Sequence, residues 1–326
     1  MAALKRFEKP DTRKAALQIA DTLTPYLALL ALMYLTIVWK IPSFVTFLLA
    51  IPASAFMVRL FVFFHDCSHG SYLASPRGTK ILGTVLGILV FMPFFEWRSL
   101  HAGHHSTSGN LDRRGIGDVW TMTVNEYDQS SRFRRFLYRI FRHPAIMFGL
   151  GPLYVLLIAH RLPSRGAKKD AILSVIFTDL MIGAILSLAV LTIGIRACLM
   201  IELPIIFMGG AAGVWLFYIQ HQFDPSYWAR NDQWNSIEAA LQGSSFYRLP
   251  KLLQWFSANI GFHHIHHLRP RIPNYNLERC LKETPELQLD CPLTLWRSLK
   301  SVRLNLWDEE CRILVSFREA ARMHRA

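Results

Sequence analysis

Four long apolar stretches run through this chain of 326 residues, and they restrict its fold more than any other feature. Each one reaches or approaches the ~20 residues that an α-helix needs to cross a bilayer. Charged residues inside them are sparse, the exceptions being Arg59, Asp179 and Glu202. A soluble protein would rarely contain so many such stretches, so the sequence predicts an all-α integral membrane protein. We expect four spans in two hairpins, over residues 22–39, 43–64, 171–195 and 199–219.

Basic residues are in excess, and their placement favours a membrane protein over a nucleic-acid-binding protein. The formal net charge is +13, and Lys and Arg concentrate before the first span, between Arg98 and Lys169, and after Arg230. Nucleic-acid binding calls for a basic groove or stripe. Basic segments beside apolar spans instead follow the positive-inside rule. We therefore expect no nucleic-acid partner.

Two further apolar segments, residues 81–95 and 145–158, are too short to cross a bilayer comfortably and contain glycines. If residues 81–95 did cross, the histidine-rich segments at His65 and His101 would lie on opposite faces of the membrane and could not share a site. We expect both segments to be re-entrant or interfacial helices. Residues 65–170 and 220–326 then form a helical cap on one side, and residues 1–326 form a single domain.

Histidines form the second informative pattern, because nine of the thirteen lie in three short clusters beside apolar stretches. Spacings of three and four residues bring side chains onto one helix face, which leaves His264 of the third cluster rotated away. Metal ligation is the role that needs many imidazoles from distant segments. The remaining eight are His65 and His69, then His101, His104 and His105, then His263, His266 and His267.

Eight imidazoles exceed what one zinc ion needs and suit two transition-metal ions, with iron favoured, copper less so, and zinc left open. The sequence lacks the Glu-x-x-His pairs of carboxylate-bridged di-iron bundles. Asp66 and Asp118 lie beside the clusters, where each has two interpretations. They either orient ligating imidazoles through the second ring nitrogen or cap helices and pair with arginines. Trp97, Trp228 and Trp255 are typical of an aromatic belt at the membrane interface.

The clusters resemble the three histidine boxes of the membrane fatty acid desaturase family, with HxxxH first and HxxHH second and third. The resemblance extends from about Phe61 to Leu281 and includes Trp97-Arg98, Gly117 to Trp120, and Pro270 to Tyr275. Within that family, the chain is most similar to bacterial acyl-lipid desaturases of the omega-6, delta-12 or delta-5 type. The resemblance implies two iron ions (Fe2+/Fe3+) held by the eight histidines and by one more between the second and third boxes, which by position is His221.

The resemblance also implies an oxygen-dependent desaturase that inserts a cis double bond into a lipid-linked acyl chain. We expect a separate electron donor, such as a ferredoxin or cytochrome b5, because the sequence contains no dinucleotide-binding glycine fingerprint. The implied location is a bacterial inner membrane, with the active site and both termini on the cytoplasmic face. A related di-iron hydroxylase or carotenoid oxygenase is the alternative. A haem carrier would use single histidines on facing spans, and a zinc transporter would need intramembrane carboxylates.

Overall fold

The computed structural model describes residues 2–289 and 291–323 of this chain, and helices make up most of it. Shorter helical turns cover Ala2–Glu8, Ala145–Leu150, Ala159–Arg161 and Pro285–Leu287. In chain order the α-helices are α1 (Thr12–Val38), α2 (Ser43–His69), α3 (Pro76–Leu89), α4 (Phe94–Thr107), α5 (Val124–Gln129), α6 (Arg132–Phe141), α7 (Gly151–Leu157), α8 (Lys169–Ile193), α9 (Ile195–His221), α10 (Ser236–Leu241), α11 (Lys251–Phe256), α12 (His263–Leu268), α13 (Asn274–Glu283), α14 (Leu295–Ser301) and α15 (Phe317–Met323).

Helices α1, α2, α8 and α9 are long and apolar enough to cross a membrane, as predicted. Two bent helix pairs would raise the count to six if each were one broken span. They are α3 with α4, bent by 98°, and α6 with the segment Ala145–Arg161, bent by 57°. Helix α1 packs against α2, α8 against α9, and α2 against α9, so the two hairpins share one core. The chain is therefore a multi-pass membrane protein.

The turn of the second hairpin lies earlier than predicted. The predicted spans, 171–195 and 199–219, left Arg196, Ala197 and Cys198 for the turn, but all three belong to α9. The chain reverses at Gly194, which has a φ of 82°. Glycine adopts this backbone conformation without the steric penalty of a Cβ. Mean hydropathy does not detect such a break, because the residues on both sides of Gly194 are apolar.

The bend between α3 and α4 is held from several sides. Phe91 has a φ of 59°, which is unusual for a bulky side chain. Arg161 donates a hydrogen bond to the Phe91 carbonyl and forms a 2.6 Å ion pair with Asp179 of α8. Gly87 packs so closely that a Cβ there would lie 2.4 Å from the Met92 carbonyl oxygen. These contacts direct α4 back into the protein, where it packs against α2 and α8.

A buried arginine connects the first hairpin to the cap. Arg59 of α2 is 2% exposed, and its Nε donates to Thr22 Oγ1 of α1 over 2.9 Å. Its guanidinium also donates to the Trp255 carbonyl of α11 and lies 3.9 Å from the centroid of that indole ring. The Asp21 carboxylate lies 3.8 Å from Nη2. One side chain therefore joins α1, α2 and α11.

The cap contains two small sheets that the all-α prediction did not include. The strands are β1 (Met122–Thr123), β2 (Tyr247–Arg248), β3 (Leu293–Thr294), β4 (Leu306–Asp308) and β5 (Ile313–Val315). One sheet has the order β1–β4–β5, with β1 and β4 parallel and β4 and β5 antiparallel, and the other pairs β2 with β3 in parallel. Strands of two or three residues are too short to show an alternating apolar pattern.

The N-terminal segment belongs to the cap. The turn Ala2–Glu8 packs against α13, and Glu8 forms an ion pair with Arg269, just after α12. The N-terminal segment therefore lies on the same side as the third histidine cluster.

Candidate metal centre

Four helices deliver histidines to one buried region between the spans and the cap. Helix α2 ends at His69, α9 ends at His221, α4 carries the second cluster, and α12 carries the third. We expected the segment between α2 and α4 to keep the first and second clusters on one side of the membrane. The two clusters do meet, since the centroids of the His65 and His101 rings are only 4.7 Å apart. All nine of the histidines predicted as ligands meet here, in two groups.

The first group, called the five-histidine group, contains residues from α2, α4 and α12. One nitrogen from each member lies within 4.8 Å of the others. His105 Nε2 lies 3.1 Å from both His101 Nε2 and His266 Nε2. The group consists of His65, His69, His101, His105 and His266.

The second group, called the four-histidine group, contains residues from α4, α9 and α12, again with one nitrogen each within 4.8 Å of the others. His221 Nε2 is central, at 3.1 Å from both His104 Nε2 and His263 Nε2. The group consists of His104, His221, His263 and His267.

The two HxxHH boxes each serve both groups. In the second box His101 and His105 join the five-histidine group, while His104 joins the other. In the third box the arrangement is reversed, because His266 joins the five-histidine group and its two box partners do not. The predicted common face therefore divides, and residues four apart stay together. Helices α4 and α12 each hold part of both groups.

Hydrogen bonds to the outer nitrogens fix where two of the protons lie. The Asp118 carboxylate is 2.6 Å from His104 Nδ1, so that nitrogen carries the proton and Nε2 of a neutral ring keeps its lone pair. The Gly243 carbonyl oxygen lies 3.3 Å from His221 Nδ1 and likewise favours a proton there. Two lone pairs then face each other across 3.1 Å, which is repulsive unless a cation lies between them.

The distances and the chemistry of the remaining donors also suit metal ions. With metal–nitrogen bonds of about 2.1 Å, two ligands at a right angle are about 3.0 Å apart. His69 Nε2 and His267 Nε2 are buried and have no hydrogen-bond partner among the described residues. Burial, aided by the neighbouring imidazoles, lowers the pKa of His263, His266 and His267 well below the ordinary value. Neutral imidazole is the form that ligates metal.

The second carboxylate, Asp66, holds the first cluster less directly. Its Oδ1 lies 3.4 Å from His65 Nδ1. Its Oδ2 accepts from the Asn274 backbone N–H at 2.7 Å and from the Asn274 side chain at 2.9 Å. Of the two interpretations open for these carboxylates, the contacts of Asp118 favour orientation of an imidazole. Asp66 combines both, because its shorter contacts cap the N-terminus of α13 at Asn274 while its other oxygen lies near His65. Asn274 lies in the segment Pro270 to Tyr275 that carries the family resemblance, but its contact with Asp66 becomes visible only in the structure.

For two residues beside the metal groups, His264 and Trp97, the sequence predicted the surroundings with different success. His264 lies outside both groups, as expected, and its Nε2 lies 3.0 Å from the Leu287 carbonyl oxygen. Trp97, which we expected in an aromatic belt at the membrane interface, contacts the metal-centre histidines. Its ring stacks on His101, with centroids 4.3 Å apart and planes at 21°. The spacing of four residues along α4 is the signal that relates Trp97 to His101.

The sequence of this chain matches one protein-family model and several known proteins. The family model described as "Fatty acid desaturase" matches residues 42–296. A "Fatty acid desaturase" of Bacillus subtilis (strain 168) is 42% identical over 312 residues, which cover 96% of this chain and 88% of that protein. An endoplasmic-reticulum omega-3 fatty acid desaturase of Vigna radiata is 28% identical over 71% of this chain and 62% of its own length. A Picosynechococcus "sn-1 oleoyl-lipid 12-desaturase" is 27% identical over 68% of this chain and 64% of its own length.

Proposed function

This chain belongs to the fatty acid desaturase family and is an oxidoreductase of the membrane, and we propose that it inserts a cis double bond into a lipid-linked acyl chain with consumption of O2. The relative named sn-1 oleoyl-lipid 12-desaturase supports an acyl chain carried on a glycerolipid. Similarity to that relative and to the omega-3 desaturase of Vigna radiata supports a type that acts toward the methyl end of the chain.

The observation that carries the proposal is the pair of histidine groups, in which nitrogens from distant helices, such as His104 Nε2 and His221 Nε2, lie 3.1 Å apart. We assign one iron ion to the five-histidine group and one to the four-histidine group. Bound iron would supply the oxygen activation that removal of hydrogen from an unactivated methylene requires, since no protein side chain can do this unaided.

The protein's own groups prepare this site. Asp118 holds a proton on His104 Nδ1 and directs Nε2 inward. Trp97 covers one face of the His101 ring and restricts its rotation. His104, His263 and His266 are each at most 2% exposed, so bulk water is kept from the centre. An acyl chain entering from the apolar spans would meet the centre in a dry environment, where its position selects the methylene that reacts.

A separate electron donor, a ferredoxin or a cytochrome b5, would dock on the basic cap. We place the cap, the metal centre and both termini on the cytoplasmic face of a bacterial inner membrane. The excess of Lys and Arg beside the spans supports this orientation. Packing of the N-terminal turn on α13 supports a common side for the N-terminus and the metal centre.

Product analysis tests the proposal. The chain is expressed in a host without polyunsaturated lipids, and new double bonds are located in the extracted lipids by mass spectrometry. We expect dienoic acyl chains from the wild type and from His143→Ala, which changes an exposed histidine outside both groups. His101→Ala and His221→Ala should yield none. Hydroxylated chains in place of alkenes would assign the alternative activity, and turnover by either metal-group variant would refute the ligand assignment.

Iron content separates the cofactor from the activity. Purified wild type should bind two iron ions per chain, and His221→Ala should retain about one, because only the four-histidine group loses a member. Retention of two ions by His221→Ala would exclude that residue as a ligand.

A further inference from the structure

Helix α6 presents an apolar surface that the rest of the protein leaves uncovered. Its exposed members, called the α6 stripe, include Phe133 at 69% and Phe136 at 58% relative exposure. Leu137 and Ile140 complete the stripe and are also exposed. Spacings of three, four and seven residues place all four on one helix face.

The opposite side of α6 is fixed to the cap, which sets the direction of the stripe. Tyr138 is fully buried, donates to the Asn305 carbonyl and accepts from the Met122 N–H over 3.1 Å. Just after the helix, buried Arg142 donates to Gln222 Oε1 over 3.0 Å. At 3.6 residues per turn, Tyr138 lies roughly 150° from the centre of the stripe. The stripe therefore points away from the cap.

The helix is also strongly basic. Arg132, Arg134, Arg135 and Arg139 are four of its ten residues, and its sequence contains no acidic residue. On a helical projection Arg132 lies on one side of the stripe and Arg134 on the other. Arg135 and Arg139 lie near the Tyr127 ring, at 6.0 and 5.8 Å from its centroid.

The chain continues from α6 directly into a segment that packs on a membrane span. After the 57° bend, α7 packs against α9, while Leu150 just before α7 and Tyr154 and Leu157 within it stay exposed. Exposed apolar side chains thus run from the side of a membrane span to the α6 stripe. This continuity with a membrane span favours a lipid surface as the occupant of the stripe, and the flanking arginines favour lipids of negative charge.

We propose that α6 is an in-plane membrane helix that binds anionic phospholipid headgroups. The α6 stripe enters the boundary between headgroups and acyl chains, and Arg132 and Arg134 contact lipid phosphates on either side. This inference goes beyond the desaturase activity and depends on neither iron nor turnover. A helix of ten residues with one buried side chain is marginal in water. Lipid contact should therefore determine how firmly α6 stays folded.

Hydrogen–deuterium exchange of residues 132–141 tests the proposal with the full chain in lipid nanodiscs. One preparation contains zwitterionic phosphatidylcholine only, and the other also contains phosphatidylglycerol. We expect exchange in α6 to be roughly tenfold slower with phosphatidylglycerol, because two arginines beside an anionic surface should raise membrane occupancy by at least that factor. Exchange in α9 serves as the internal control and should be equal in both preparations.

Two variants distinguish the charge contribution from the apolar contribution. R132Q/R134Q should remove the difference between the two lipids, whereas R312Q/R322Q, which removes the same charge from exposed positions elsewhere, should keep it. F133S/F136S should speed exchange in α6 in both lipids while α9 stays protected. Equal exchange in both lipids for the wild type would overturn the proposal. So would protection that appears only after an electron-donor protein is added, which would assign the stripe to that donor.

Discussion

Asp118→Asn tests whether the two histidine groups are separate metal sites. The substitution keeps the size of the side chain and an oxygen that can accept from His104 Nδ1, but it removes the negative charge. It also disturbs the second contact of Asp118, since Oδ2 accepts from the Gly115 N–H over 3.3 Å. An amide nitrogen facing that N–H would set donor against donor. Only the four-histidine group contains His104.

The magnitude follows from how this carboxylate is held. Its side chain is 7% exposed and lies 2.6 Å from the imidazole nitrogen, so its charge is poorly screened. Charge-assisted hydrogen bonds are roughly twice as strong as neutral ones. Loss of a carboxylate behind a metal-binding histidine typically lowers metal affinity by 10- to 100-fold. We expect a loss of about 30-fold, or about 2 kcal/mol, at one of the two ions.

The assay is an anaerobic titration of metal-free protein with Fe2+ in competition with a colorimetric chelator. Asp118→Asn should bind one ion as the wild type does and the other about 30-fold more weakly. Asp66→Asn is the matched comparison. Its oxygen lies 3.4 Å from His65 Nδ1, so a smaller loss is expected, at the five-histidine group. Unchanged affinity for both ions in Asp118→Asn, or an equal loss at both, would refute the division into two sites.

Three other substitutions test the scaffold by unfolding in detergent. Gly87→Ala should cost about 1–3 kcal/mol and lower iron content, because its Cβ meets a backbone carbonyl, whereas Gly183→Ala has open space and should be neutral. Arg161→Met should cost about 1–3 kcal/mol by leaving Asp179 and a carbonyl unpaired, and adding Asp179→Leu should restore part of it. Hydrogen bonds from two lysines lower the pKa of Glu278 from its ordinary value of 4.5 to about 2. A lowered carboxyl pKa stabilises the fold above about pH 4.5 and loses that contribution toward pH 2. Glu278→Gln should therefore be less stable than the wild type by about 1 kcal/mol at pH 7, and equally stable near pH 2.

The sequence predicted the spans and the gathering of the histidines well, because both depend on local patterns. Mean hydropathy located four helices to within a few residues at most ends. The largest error is at α1, which begins at Thr12 rather than at residue 22, since Lys14 and Asp21 lowered the hydropathy of its first turns. Helix α2 also runs five residues beyond the predicted end at residue 64, to His69. The requirement that all clusters share one side correctly predicted that residues 81–95 do not separate His65 from His101.

The division of the histidines into five and four was not predictable from spacing alone. Residues three and four apart share a broad helix face, and only the positions of α2 and α9 decide which imidazoles point to which group. The contact between Asp66 and Asn274 joins residues 208 positions apart, so no local pattern announces it. The two small sheets were not predicted for a related reason, because strands far apart in the sequence, such as β1 and β4, pair only in the folded cap.

Arg59 has a consequence for the order in which the protein is made. Its partner Trp255 lies 196 residues further along the chain. At about 5–20 residues per second, a ribosome needs roughly 10–40 s to synthesise that interval. During this time the first hairpin holds a cationic side chain inside apolar helices, with Thr22 and Asp21 as the polar side chains beside it. The newly inserted hairpin is therefore incomplete until the cap arrives, which makes this interval the period in which a chaperone or a protease of the membrane would recognise the unfinished chain.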